Sequence, residues 1–207
     1  MILDGKFKTL KTAALALMLS ACTAIPQSQT PEVALNDKVS VQLPSARSLG
    51  YSLTASQLIV ATWNADESKR SEQLPVQLQV NADKLVLAGF SSWGTRILSL
   101  EYQDNQISTE LLTGLKGVLP QPEQVLFNLM ITLWPSSAWE APLNRVKWRI
   151  IDTENSRAIF NSAGEQVIDI QYSNADKLAG EIRFHHLKDD YTITITTLQR
   201  QITPLTP

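Results

Sequence analysis

Cysteine, histidine and glycine are scarce in this sequence, and each shortage excludes a class of site. One Cys and two His occur in 207 residues, so an internal disulfide and a CxxC metal or redox site are excluded. Eight scattered Gly provide no glycine-rich phosphate loop. Charged residues make up only 18 % of the chain and the formal net charge is −2. No basic excess is therefore available to neutralise nucleic-acid phosphates, and we expect no nucleic-acid partner.

Recognisable catalytic motifs are missing as well. The chain contains no GxSxG and no HExxH sequence. Its two histidines, His185 and His186, are adjacent, so on a strand they point to opposite faces and do not readily share a metal. We therefore predict no catalytic residue, no metal site and no enzymatic activity. A pocket with converging His, Asp and Ser side chains would reopen the enzyme hypothesis.

No run of about 20 apolar residues follows the N-terminus, so the sequence predicts no membrane-spanning helix in the mature chain. Residues 1–21 are typical of a signal peptide, because three lysines precede a short apolar run over 12–20. Leu19-Ser20-Ala21-Cys22 closes this segment and resembles a bacterial lipobox, in which the Cys is acylated. The alternative is an ordinary secretory signal followed by an incidental Cys.

Residues 22–37 are rich in Pro, Gln, Ser and Thr and lack an apolar period, which predicts a flexible tether. A surface arm packed on the domain is the alternative. Two or three acyl chains on Cys22 would hold the chain stably on a membrane. Thr23, rather than Asp, follows the Cys. By resemblance to enterobacterial lipoproteins this implies the periplasmic face of the outer membrane, with the lipid on Cys22 as the only attached group.

The remaining residues, 38–207, are predicted to form a single mainly β domain. From about residue 55 apolar side chains recur with a period of two, as in Leu98, Leu100 and Tyr102. Short turn signals such as Asp104-Asn105 separate the alternating runs and favour antiparallel hairpins. The predicted strands are 57–63, 74–81, 84–91, 95–103, 106–112, 145–152, 156–161, 166–173, 180–187 and 190–198.

One segment, residues 122–134, breaks this alternation and has the length of a helix. Pro122 suits its first turn and Pro135 ends it. The helix is apolar except for a narrow stripe formed by Gln124, Asn128 and Thr132. Because a surface helix shows a wider polar face, this one is predicted to be buried on most sides.

A ligand cavity follows from combining these two patterns. A curved antiparallel sheet of nine or more strands is not easily filled by its own side chains, and a helix on the concave face would fill it. If that fit is incomplete, an apolar cavity remains. The alternative is a helix that simply completes an ordinary core. The candidate lining residues are Leu78, Val80, Leu98, Leu100, Tyr102, Phe127, Met130, Trp134, Ile170, Phe184 and Ile193.

The order of short motifs resembles a family of LolB-like outer-membrane lipoproteins. Those motifs are Gly94, Ile97–Tyr102, Leu119-Pro120, Leu126–Pro135, Ile170–Tyr172, Gly180 and Tyr191–Ile193. The resemblance implies a half-open antiparallel barrel of about 9–11 strands, related to LolA and LolB, with a helix over a cavity for acyl chains. It also implies a periplasmic LolA-like carrier as partner and an association with aryl-polyene biosynthesis.

Two functional hypotheses result. In the first, an anchored carrier binds an apolar or acylated ligand and assists its transfer at the outer membrane. In the second, a non-carrier scaffold acts through protein contacts and has a well-filled core.

Two surface features each allow two interpretations. Arg145, Lys147 and Arg149 form either a solvated face of one strand or a basic stripe for lipid headgroups. Trp93, in a turn, either packs on the rim or touches a membrane.

Overall fold

The computed structural model describes residues 31–36, 38–65, 68–112 and 121–205. No helix within these ranges is long and apolar enough to cross a membrane. The strands are β1 (Glu32–Asn36), β2 (Val39–Gln42), β3 (Tyr51–Ala65), β4 (Ser68–Val80), β5 (Lys84–Phe90), β6 (Arg96–Gln103), β7 (Gln106–Leu111), β8 (Arg149–Asp152), β9 (Ser156–Phe160), β10 (Gln166–Tyr172), β11 (Glu181–His186) and β12 (Tyr191–Pro204). The helices are α1 (Pro122–Leu133) and α2 (Ser136–Arg145), and a 3-10 turn covers Ala46–Leu49.

Ten strands form one antiparallel sheet in the order β7-β6-β5-β4-β3-β12-β11-β10-β9-β8, and β1 and β2 form a separate hairpin. The edge strands β7 and β8 are not paired with each other, so the sheet is open rather than a closed barrel. All ten predicted strands correspond to these ten. The predicted fold class, a mainly β curved sheet with a helix on its concave face, is confirmed.

Contacts of α1 show how strongly the sheet curves. The helix packs against β1, β7 and β11. In the sheet order β7 and β11 are six places apart, which in a flat sheet amounts to about 29 Å. A helix only about 10–12 Å wide reaches both strands. The sheet must therefore curl around the helix, which lies in its concave side.

Alternation decides which side chains enter this interior. Tyr102 pairs across the sheet with Leu85, which pairs with Val80, which pairs with Leu53. All four side chains are buried, while their neighbours along each strand are more exposed. The β6–β7 hairpin fixes this register through a two-residue turn, because Asp104 and Asn105 both have positive φ, as a type I′ turn requires.

The helix α1 runs from one end of the sheet to the other. We call the end that carries the β5–β6 turn (91–95) and the β11–β12 turn (187–190) the top end. In α1, Asn128 accepts a hydrogen bond from Tyr191, the first residue of β12, which lies beside the top end. One turn later the Thr132 carbonyl accepts from Tyr172, the last residue of β10, at the opposite end. The N-terminus of α1 therefore lies at the top end.

Several boundaries differ from the sequence-based expectation. β3 and β4 each begin six residues earlier than predicted and β12 ends six residues later. Two further differences affect the predicted tether and the predicted basic stripe. Glu32–Asn36 pair with β2 as β1, so part of the segment predicted as a tether belongs to the folded domain, because Val33 and Val41 are buried in the core. The strand predicted over 145–152 starts only at Arg149, since residues 136–145 form α2. Arg145 ends that helix and Lys147 lies in a turn with φ +60°, so no basic stripe runs along this strand.

Candidate ligand-binding site

The structure brings the candidate lining residues together on the concave face and on α1. They lie in the sheet strands that the alternation predicted and in the helix that covers them. Ten are buried, and Ile193 is half-buried and packs against the others. The buried ones are Leu78, Val80, Leu98, Leu100, Tyr102, Phe127, Met130, Trp134, Ile170 and Phe184.

Protein side chains, rather than free space, occupy this face in the state described. An empty internal cavity would leave its lining with surface that water could reach, yet Met130 on α1, Trp134 directly after α1 and Leu78 on the sheet show 0 % exposure. The ring of Phe127 packs edge-to-face on Trp139 of α2 with centroids 5.4 Å apart. A ligand can therefore reach the face only if α1 moves away from it.

The C-terminal end of α1 is held by a buried arginine that the sequence analysis did not single out. Arg157 of β9 has no exposed surface. Its Nη1 donates to the carbonyl oxygens of Ile131 and Trp134 at 2.6 and 2.8 Å. Those carbonyls end the helix and have no helical partner of their own. The sequence does indicate that Arg157 faces inward, because it lies two residues before the apolar Ile159 on the same strand.

A carboxylate completes this arrangement. Arg157 Nε and Nη2 donate to the two carboxylate oxygens of Asp152 at 2.6 and 2.8 Å. Partial burial by itself would raise the pKa of Asp152, but the hydrogen bonds and charge of Arg157 outweigh burial and lower it. Burial and the same guanidinium lower the pKa of nearby Lys177 to about 8. The Lys177 ammonium sits 4.6 Å from the ring centre of Tyr172.

Further hydrogen bonds fix the same end of the helix. Tyr172 donates its hydroxyl to the carbonyl of Thr132 at 2.9 Å. Trp134 Nε1 donates to the Ser45 carbonyl at 3.0 Å, which ties the helix to the segment after β2. Together with Arg157 these bonds give the last turn of α1 a rigid polar anchor in an apolar interior.

Among the residues described, the N-terminal half of α1 is packed against apolar side chains but has fewer and longer hydrogen bonds to the sheet than the C-terminal end. Its N-cap residue, Gln121, makes no side-chain capping bond. Gln124 Nε2 donates to Asn128 Oδ1 at 3.0 Å within the helix, and Tyr191 reaches the same oxygen only at 3.4 Å. Burial raises the pKa of Tyr191 to about 12, so the hydroxyl keeps its proton in physiological conditions. The predicted polar stripe thus faces the sheet instead of solvent.

His186 lies under Tyr191 and makes this end of the sheet sensitive to pH. The two rings stack with centroids 5.1 Å apart, and His186 Nδ1 accepts a hydrogen bond from the Asp189 amide at 3.2 Å. Burial lowers the pKa of His186 below 6.5, more than the Asp189 carboxylate raises it. The unfolded chain therefore binds the proton first as the pH falls.

This linkage predicts that folding stability decreases as the pH falls below about 6.5. Replacing His186 by Gln should flatten that decrease in urea unfolding curves recorded between pH 5 and 8. The matched variant His185→Gln changes the neighbouring half-exposed ring on the other face and should keep the decrease. Equal pH profiles for the wild type and His186→Gln would contradict the assignment.

Two clefts open at the top end of the sheet. One of about 550 Å³ lies between the β1–β2 hairpin and the β11–β12 turn, where Lys38 and Lys188 line it. The other, of about 370 Å³, separates β1 from the first turn of α1 and is lined by Val33, Gln121 and Gln124 among others. Neither cleft is lined by the eleven candidate residues. The second leaves space beside the N-terminal end of α1.

Exposed apolar side chains gather at the same end. Trp93, at the tip of the β5–β6 turn, is 92 % exposed. Leu112, directly after β7, and Leu187, in the β11–β12 turn, are exposed as well. Of the two interpretations of Trp93, packing on the rim is therefore wrong.

Within the described residues no group of three or more His, Cys, Asp or Glu is placed to hold a metal ion. Cys22 lies outside those residues.

Solved structures of three other proteins are similar to this chain. A LolA superfamily protein from Nitrosomonas europaea shares 7 % identity at a TM-score of 0.37, over 80 % of this chain and 95 % of that one. A domain named as an outer membrane lipoprotein-sorting protein, from Vibrio parahaemolyticus, shares 8 % at 0.36, over 74 % and 86 %. A DUF1329 family protein from Desulfovibrio piger shares 7 % at 0.31, over 73 % and 85 %.

Comparison of the sequence with protein families, rather than with single proteins, identifies its relatives. Among curated protein sequences none matches this chain significantly. A family model described as "protein of unknown function (DUF3261)" matches residues 54–199. This range runs from within β3 to within β12, and so contains β4–β11 and both helices in full and most of β3 and β12. The chain is therefore a member of the DUF3261 family.

Proposed function

We propose that this protein is a lipid-anchored carrier whose concave face receives an apolar or acylated ligand when α1 swings away from it. The observation that carries the proposal is the unequal attachment of α1. Three side chains hold its last turn by hydrogen bonds at 2.6–3.0 Å. Its first turn borders a cleft, and the Gln121 side chain at the N-cap position makes no capping bond within the described part of the chain. Such a helix can open at the top end while its C-terminus stays in place.

The driving force would be burial of hydrocarbon. Lifting α1 exposes apolar side chains of the sheet, and a bound acyl chain would cover them again at about 25 cal/mol per Å². From this gain the cost of association and of moving the helix must be subtracted. Modest affinity is therefore expected, which suits a protein that must release its ligand.

The anchor and the rim complete the proposal. With an acylated Cys22, the chain would sit at the periplasmic face of the outer membrane and take its ligand from a LolA-like carrier or a related donor. The LolB-like resemblance and the suggested role in aryl-polyene lipid export belong to this proposal too. The exposed rim residues at the top end would face the bilayer, since Trp favours the membrane–water interface.

Fluorescent cis-parinaric acid, a polyene fatty acid, tests ligand binding. The mature chain from residue 22, with Cys22→Ser so that no acyl group competes, should bind one molecule per chain with enhanced fluorescence. Palmitic acid should displace it, and native mass spectrometry should show the one-to-one complex. If saturating ligand gives no fluorescence enhancement and no one-to-one complex, the carrier proposal is rejected.

The rim gives a second test of the same proposal. Trp93→Ser should lower binding of the unanchored chain to phosphatidylethanolamine–phosphatidylglycerol vesicles by about tenfold, since one indole loses its apolar contact. Its thermal unfolding should not change, because an exposed side chain contributes little to folding. Leu198→Ser, an exposed apolar residue of β12 away from the turns, is the control. Equal vesicle binding by both variants would reject the rim as a membrane contact.

A second candidate function is favoured by the filled interior itself. A scaffold that acts only through protein contacts needs no space under α1, and the described residues there are tightly packed. This hypothesis predicts no lipid complex and no displacement of cis-parinaric acid. The binding experiment therefore separates the two functions.

A further inference from the structure

Among the residues that the structure describes, two buried side-chain polar atoms in the concave interior lack a hydrogen-bond partner. One is Oε1 of Gln57 on β3 and the other is the hydroxyl of Tyr102 on β6. Both side chains are almost fully buried, at 1 % and 2 % exposure. Buried polar atoms are nearly always paired, so each exception calls for an explanation.

The Gln57 side chain points into the face where the proposed ligand would lie. It occupies the same register as the buried residues Leu53 and Ala55 on its strand, four and two positions away. Its Nε2 donates to Thr197 Oγ1 of the neighbouring strand at 3.1 Å, which fixes the amide in place. One terminal atom of a fixed amide is thus presented to the interior.

We propose that Gln57 binds a hydroxyl group carried in the middle of the ligand's hydrocarbon chain. A hydroxyl both donates and accepts, so it can pair with the free amide atom whichever way the amide is turned. This inference rests on the proposed function, because the hydroxyl can reach Gln57 only when α1 has moved. It names the substrate class as a hydroxylated acyl chain rather than a plain one.

The depth of Gln57 sets the position of that hydroxyl. Trp63, half-buried beside the top end, pairs with Tyr191 at the rim of the interior. Gln57 lies six residues further along β3, a distance of about 20 Å. A headgroup held beside Tyr191 therefore places the hydroxyl far from the carboxyl carbon. The β5–β6 turn, by contrast, is level with Gln57, because Gln57 pairs with Val76 and Val76 pairs with Gly89. Tyr102 lies three strands away from Gln57, so a single hydroxyl does not contact both.

Competition against cis-parinaric acid tests the inference. The chain from residue 22 with Cys22→Ser should bind 12-hydroxystearic acid about tenfold more tightly than stearic acid, the ratio expected for one added hydrogen bond. 2-Hydroxystearic acid, whose hydroxyl is beside the carboxyl group, should bind like stearic acid. Gln57→Leu should remove the preference for the 12-hydroxy acid and keep the affinity for stearic acid within about twofold.

Gln77→Leu is the matched control, because Gln77 is an exposed glutamine on the other face of β4 that pairs with Ser56, and this variant should keep the preference. Unfolding midpoints of both variants at or above the wild-type value would show that the variants remain folded. Equal affinities for the 12-hydroxy and plain acids, or a preference that survives in Gln57→Leu, would overturn the inference and leave the carrier function standing. Failure of all the acids to bind the wild type would reject the carrier and the inference together.

Discussion

Replacing Arg157 by Ala is expected to lower the free energy of unfolding by about 3–5 kcal/mol. The substitution leaves the partly buried carboxylate of Asp152 without its bidentate partner. It also removes the donors of the Ile131 and Trp134 carbonyls in the interior. An unpaired, partly buried carboxylate and two unpaired buried carbonyls each cost free energy of folding. Urea unfolding followed by circular dichroism measures the loss.

Arg183→Ala is the matched control for this variant. Arg183 lies on β11 and is exposed, so its loss should change stability by less than about 0.5 kcal/mol. In the wild type the pKa of Asp152 is lowered in the folded state, so its contribution to stability is present at neutral pH. That contribution is lost as the pH falls below about 4. Equal losses in Arg157→Ala and Arg183→Ala would contradict the anchoring role of Arg157.

Phe127→Ala is expected to cost a similar amount, about 3–5 kcal/mol, for a different reason. The ring is buried between α1 and α2 and packs on Trp139, so its removal leaves a cavity. Phe90, a half-buried residue that ends β5, is the control, and Phe90→Ala should cost clearly less. Thermal and urea unfolding give both values.

The same variant separates the carrier from the scaffold. If ligand binding requires α1 to move, then weaker packing of α1 raises the fraction of open molecules and tightens apparent binding. Each 1.4 kcal/mol taken from the closed state should tighten cis-parinaric acid binding by about tenfold until the open state dominates. Unchanged binding by Phe127→Ala despite its lower stability would show that α1 does not gate the site.

Much of the fold could be predicted because its residues follow simple periods. Alternation along Leu98, Leu100 and Tyr102 specifies both a strand and its inward face. Prolines at 122 and 135 bound α1 at nearly the observed residues. The second helix was missed because Pro142 lies inside it and only Trp139 and Leu143 are buried, a pattern too sparse to indicate a helix.

The site could be predicted only in part, because the sequence pattern does not give the free volume between α1 and the sheet. A period of two tells which side chains face inward, and Phe184 and Ile170 indeed do so. It does not tell how much space the helix takes from the concave face, because that depends on the curvature and on α1 together. The anchoring role of Arg157 was not recognised either, since its partners are the carbonyls of Ile131 and Trp134, distant in sequence.

Hydrogen exchange of α1 with and without bound fatty acid tests the central claim most directly. At saturating palmitic acid, amides over residues 122–128 should exchange faster, because this part of the helix leaves the sheet. Amides over 131–134, held by the Arg157 anchor, should keep their protection. A saturated complex in which exchange over 122–128 is unchanged or slower would contradict the account, because the ligand would then lie elsewhere.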